Sequence, residues 1–120
     1  DHFKQINDRY GHATGDLVLA NVASLLRTHS GDRLYRLGGE EFAVLLLGCA
    51  PSQAPRVAER LRRAVPNLRP AQPGQVSVGV AASSPTRTPA AVLKAADKAL
   101  YQAKSSGRNR VVASQQAWAA

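Results

Sequence analysis

Gly38-Gly39-Glu40-Glu41 stands between two short apolar runs, Asp32 to Leu37 and Phe42 to Leu47. That pattern predicts a β-hairpin, because glycines permit the positive φ a tight connection needs, and it puts two acids at the tip. Adjacent carboxylates on an exposed turn repel each other. The arrangement makes sense if a divalent cation sits between them and a phosphate, with the glycines letting the backbone approach that ligand. Taken alone, an ordinary turn with solvated acids carries the same pattern.

The rest of the chain supplies what such a hairpin could pack against. Asp1 to Gly15 is rich in Asp, Asn, Gly and His and reads as a long functional loop or a broken helix. From Asp16 to Thr28, Leu17, Val18, Val22, Leu25 and Leu26 recur at helical spacing, which predicts a mostly buried helix with Asp16 at its N-terminus. Gln53 to Val65 places Ala54, Val57, Ala58, Leu61, Ala64 and Val65 on one stripe, an amphipathic helix whose Arg56, Arg60, Arg62 and Arg63 read as solvated. Pro66, Pro70, Pro73 and Gly74 make a stiff loop, and Val76, Val78 and Val80 alternate as a strand does. Thr88 caps a helix with Pro89 at its first position, running through Val92, Leu93, Ala96, Leu100 and Ala103 to Gly107 as terminator; Asn109 to Ala113 is a last strand. This order of helices and strands predicts an α+β domain. A split βαββαβ core needs a strand before the first helix, so the sequence looks like a domain cut just after that strand.

Composition narrows the partners. At 120 residues the chain is one small domain, and no apolar run approaches the ~20 residues of a membrane span. Sixteen Lys and Arg against eight acids give a net charge of +8, which favours anionic partners. Few aromatics leave few stacking platforms, which argues against nucleic acid. The lone Cys49 excludes an internal disulfide and a Cys-rich zinc site, and reads as a small half-buried residue. The opening Asp1-His2-Phe3-Lys4 has no secretory h-region, which favours an intracellular setting.

The glutamate turn is flanked by two further blocks. Asp1-x-Phe3-Lys4-x-Ile6-Asn7-Asp8-x-x-Gly11-His12-x-x-Gly15-Asp16 precedes it, and Ala96-Asp97-x-Ala99-Leu100-Tyr101-x-Ala103-Lys104-x-x-Gly107-Arg108-Asn109 follows it. With these blocks in this order, the chain resembles the GGDEF family of diguanylate cyclases in its GGEEF variant. The resemblance covers a domain over 1–113, with 114–120 as a C-terminal tail. It implies a nucleotidyl-cyclase palm with a ferredoxin-like core, a central and mainly antiparallel sheet flanked by helices. It also implies Mg2+- or Mn2+-dependent condensation of two GTP into cyclic di-GMP with loss of two pyrophosphates. The resemblance further implies a homodimer with one GTP per domain as the catalytic unit, a cytoplasmic setting and regulatory domains upstream.

The resemblance also assigns roles residue by residue. Glu40 matches the metal-binding acid, and Glu41 beside it is placed to assist at the metals or the attacking hydroxyl. Asn7 and Asp16 match the pair that reads the guanine edge, for which an amide and a carboxylate offer the right acceptors and donors. Backbone amides around Phe3 and Lys4 match the cradle for the β and γ phosphates. Lys104 and Arg108 match cationic phosphate contacts, Arg36 supports the turn, and His12 orders the loop or borders the guanine pocket.

The match departs from the family in two places. The family's first metal-binding carboxylate falls two residues before the position of Asp1, so the sequence as it stands is expected to bind nucleotide with little turnover. The family's inhibitory Arg-x-x-Asp is His29-Ser30-Gly31-Asp32 here, and a neutral imidazole cannot provide a bidentate, permanently charged fork. Product inhibition there is expected to be weak, with cyclic di-GMP still able to bind at the substrate pocket. The alternative reading is a non-catalytic module that senses GTP or cyclic di-GMP through the same site.

Overall fold

The computed structural model describes residues 1–30, 33–65 and 75–114. The elements run α1 (Phe3–Tyr10), α2 (His12–Ser30), β1 (Leu34–Gly38), β2 (Glu41–Val44), α3 (Ala54–Ala64), β3 (Val78–Val80), α4 (Pro89–Ser105) and β4 (Val111–Ala113). The chain divides into two units, Asp1–Leu47 with Arg63–Gln75, and Gly48–Arg62 with Val76–Ala120.

In the first unit the polar opening segment is a helix broken at Gly11. Gly11 takes φ 91°, a conformation costly for residues with a Cβ, and its N–H closes α1 on the Asn7 carbonyl at 2.8 Å. Helix α2 therefore starts at His12. Asp16, expected at a helix N-terminus, lies within the helix, because the break at Gly11 comes six residues before the apolar periodicity begins at Leu17. Helix α2 is also less buried than its composition suggested. Gly15, Val18 and Val22 form its inner face, whereas Leu17 is 49% exposed. With Ile6 of α1 these side chains make the core of this unit.

Helix α2 packs on the hairpin. Strands β1 and β2 pair antiparallel, with Leu34 opposite Val44, Tyr35 opposite Ala43 and Arg36 opposite Phe42. The register then slips between Arg36 and Gly38, so that Gly38 faces Glu41. Gly39 (φ 49°) and Glu40 form the turn, and Glu41 opens β2.

The second unit is a β–α–β arrangement in which β3 and β4 pair parallel, Val78 with Val111 and Val80 with Ala113. The helix between them begins at a true cap, where Thr88 Oγ1 accepts from the Ala91 N–H at 3.1 Å and Pro89 follows. Ala95, Ala99 and Ala103 are buried along one face of α4, so of the expected apolar positions Ala103 is buried, Val92, Ala96 and Leu100 are half-buried and Leu93 is exposed, because the close approach of the sheet selects the small side chains. The sheet meets it through Gly79, where an added Cβ would run into the Ala96 carbonyl and the Leu100 backbone. Two small surfaces thus let backbone approach backbone. From α3, Ala58 and Leu61 are buried.

Beyond Ser105 the chain does not pass straight into a strand. Asn109, expected as the first residue of the last strand, instead takes φ 46°, and the strand starts at Val111. The expected proline-rich loop at Pro66, Pro70, Pro73 and Gly74, together with Asp32 and Trp118, falls outside the described residues. Among the described residues no helix is long and apolar enough to cross a membrane.

Candidate active site

The hairpin's side chains alternate across its two faces. Leu34, Arg36 and Phe42 turn toward α2 and, with Asp16, Leu19 and Ala23, line an open cleft of about 330 Å3. Ala20 and Arg27 of α2 line it too, so aliphatic and aromatic walls carry two cations, Arg27 and Arg36, and one carboxylate. Asp16 contributes a carboxylate that can accept N–H donors from a planar base, and Arg36 contributes a cation.

Arg36 is tied to the glutamate turn. Its Nε and Nη2 donate to the Gly39 carbonyl at 2.9 and 2.5 Å, so the guanidinium holds the peptide immediately before Glu40. This is the turn-supporting role expected of it. Glu40 and Glu41 are exposed, the first in the turn and the second at the start of β2.

Asn7 approaches α2 from α1. Its Oδ1 is buried and accepts no hydrogen bond among the described residues. A buried carbonyl without a donor costs on the order of 1–3 kcal/mol, and such an atom in a native fold calls for an explanation, an absent ligand among them. The amide is seated against Gly15, one residue before Asp16: a Cβ there would overlap Oδ1 and stand 2.9 Å from Cγ. Phe3 is half-buried and Lys4 exposed in the first turn of α1, whose N-cap His2 offers no side-chain acceptor. The opening amides of any helix lack intrahelical partners and favour anions.

Lys104 and Arg108 belong to the second unit, at the end of α4 and in the turn after it, both half-buried. His12 is exposed as the first residue of α2. Cys49 is half-buried with its thiol 3.5 Å from the Ala50 carbonyl. The side chain of His29 and all of Asp32, the residues of the altered inhibitory motif, fall outside the described residues. Sequence reasoning missed Leu19, Leu34 and Phe42 as walls and Gly15 as the seat for Asn7. The Gly15-Asp16 pair was its only trace.

The chain matches the family described as diguanylate cyclase, GGDEF domain, over residues 1–110. It belongs to the GGDEF family. Diguanylate cyclase A of Treponema denticola is 42% identical over 95% of the chain, which spans 33% of that protein. The GGDEF domain of DgcB from Caulobacter crescentus, solved in complex with c-di-GMP, superposes with a TM-score of 0.84 at 36% identity, covering 97% of this chain and 74% of that one. The active GGEEF domain of a diguanylate cyclase from Vibrio cholerae gives 0.84 at 32% identity, covering 98% and 79%. The α+β nucleotidyl-cyclase fold expected from the sequence is thereby established. This GGDEF chain spans about a third of the length of the first curated relatives it matches.

Proposed function

We propose that this GGDEF chain is the catalytic domain of a diguanylate cyclase. It joins two GTP into cyclic di-GMP with release of two pyrophosphates, as a homodimer in which each domain presents one GTP. The observation that carries the reading is the tie from Arg36 to the Gly39 carbonyl: the cleft that holds Asp16 and the turn that holds Glu40 share one side chain.

In this reading Asn7 and Asp16 read the guanine edge while Leu19 and Phe42 bound its faces. The α1 amides at Phe3 and Lys4 take phosphates; Lys104 and Arg108, which belong to the second unit, keep the role of cationic phosphate contacts that their match to the family motif gives them. Positioning does most of the work, since bringing a 3'-hydroxyl against an α-phosphate replaces a bimolecular encounter with an oriented one.

Two adjacent carboxylates also fit a divalent cation. Among the described residues no three acids, histidines or cysteines cluster as a full ligand set. Mg2+, however, is commonly held by one or two carboxylates plus substrate phosphates and water. Glu40 would hold it, with Glu41 assisting; when bound, Mg2+ or Mn2+ neutralises phosphate charge and lowers the pKa of the attacking hydroxyl.

The test is to incubate the chain with GTP and Mg2+, resolve products chromatographically, and titrate GTP and cyclic di-GMP by calorimetry. Cyclic di-GMP formation whose rate rises more than linearly with protein concentration, and which is lost in Glu40→Gln, supports the proposal. Guanine-nucleotide binding with no product at high protein concentration, both from the chain and from a version extended upstream by one strand, would instead leave a sensing module. ATP bound as well as GTP would remove the guanine assignment of Asn7 and Asp16.

A further inference from the structure

Within the arginine group of α3, Arg56, Arg60 and Arg63 are exposed and Arg62 is half-buried. The expectation that all four are solvated fails at Arg62, because its guanidinium is engaged on two sides. Nε donates to Glu59 Oε2 at 3.0 Å and Nη2 to Glu59 Oε1, a bidentate fork. The remaining nitrogen, Nη1, reaches Asn109 Oδ1 at 2.8 Å and the Asn109 carbonyl at 3.4 Å, across 47 positions of sequence. The hydrogen bonds that Arg62 donates to the Glu59 carboxylate raise its pKa above the already high ordinary value.

What Arg62 grips is backbone in a rarely adopted conformation. Gly107, Arg108 and Asn109 take φ of 124°, 63° and 46° in succession. For glycine this is free. For two consecutive residues with a Cβ it carries a steric penalty and persists only where the surroundings hold it, and such segments concentrate at functional sites. Here the turn is held at both ends. The Arg108 N–H donates back to the Ala103 carbonyl of α4 at 2.9 Å, while Asn109 is fixed by Arg62 and by its own N–H to Ser77 Oγ at 3.2 Å.

We propose that Arg62, locked by Glu59, is a positioning residue. By fixing Asn109 it sets the direction in which Arg108 leaves the backbone, and so the aim of Arg108 at the phosphates of the bound nucleotide. Arg62 itself touches no nucleotide. The inference rests on the phosphate role given to Arg108 under the proposed function, and its experiment separates the two.

Calorimetric titration of GTP and of guanosine, which has the base but no phosphates, is carried out on the chain and four variants. These are Arg108→Ala, Arg62→Lys, Asn109→Gly and the Arg62→Lys, Arg108→Ala double. Lysine keeps the charge of Arg62 but cannot form the fork, and glycine keeps the left-handed backbone accessible while removing Oδ1. Arg108→Ala is expected to weaken GTP by roughly tenfold or more, the scale of a charge-assisted contact. Arg62→Lys and Asn109→Gly should each weaken GTP several-fold and leave guanosine unchanged, with the double variant no worse than Arg108→Ala.

Equal losses for GTP and guanosine in both single variants would reduce the tie to a structural brace and overturn the proposal. Additive losses in the double variant, or GTP affinity untouched by Arg62→Lys and Asn109→Gly while Arg108→Ala weakens it, overturn the positioning role alone. Arg108→Ala without effect on GTP removes the phosphate assignment itself, and the proposal with it. Should Arg62→Lys fail to fold, Asn109→Gly carries the same comparison.

Discussion

The Asn7 carboxamide occupies the space that a side chain on Gly15 would need. A methyl there would overlap Oδ1 and come within 3.2 Å of Phe3 Cζ. Gly15 lies within α2, where Gly→Ala ordinarily stabilises by roughly 0.5–1 kcal/mol. The obstructing atoms end a movable side chain, so the helix survives and Asn7 moves. Gly15→Ala is expected to hold or raise the urea midpoint while weakening guanosine and GTP alike, by about tenfold, as loss of a base-reading contact would. Denaturation and calorimetry on one preparation check it; unchanged guanosine affinity would remove Asn7 from the base site.

Arg36 acts on the turn through a fork that lysine cannot reproduce. Arg36→Lys should raise the Mg2+ concentration needed for half-maximal turnover by roughly tenfold, the size of effect seen when residues supporting a metal ligand are altered. GTP affinity in EDTA should stay put. A Mg2+ titration of product formation at saturating GTP, on the chain extended upstream by one strand, makes the comparison.

Gly79 is the opposite case to Gly15, because a Cβ there meets the backbone of α4 at Ala96 and Leu100, which cannot rotate away. Gly79→Ala is expected to cost about 2–3 kcal/mol, at the upper end for overpacking. Urea denaturation should show the midpoint falling with the m-value retained.

Thr88 gives a smaller and cleaner effect. Its hydroxyl takes up one free N–H at the start of α4, and Thr88→Ala should lower stability by about 1 kcal/mol without altering nucleotide binding. Thr88→Ser, which keeps the oxygen, should recover most of that in the same denaturation series.

What the sequence revealed and what it hid follow from the range of the interactions involved. Thr88-Pro89 announced the start of α4 because capping is settled within three residues. The glycine pair announced the hairpin for the same reason. The start of α2 was misread because residues 12–16 carry no apolar period; only the positive φ of Gly11 sets the boundary, and glycine does not advertise its angle. Arg62 looked like any surface arginine, since periodicity tells which face a residue occupies but not that a partner 47 positions away will reach it. Asn109 looked like strand, yet asparagine tolerates the left-handed region better than most residues, and the grip on its amide decides the matter. The glutamate turn was legible as chemistry, whereas the cleft walls Leu19, Leu34 and Phe42 were ordinary apolar residues until helix and hairpin met.

The grip of Arg62 on Asn109 also orders events in time. Strands β3 and β4 and the helix joining them are contiguous in the chain and can assemble through short-range closures, whereas the contact from α3 spans an intervening stretch of dozens of residues. The bend bearing Arg108 therefore reaches its final shape late, and folding-rate measurements on Asn109→Gly should place its φ-value near zero, with the loss of stability appearing as faster unfolding.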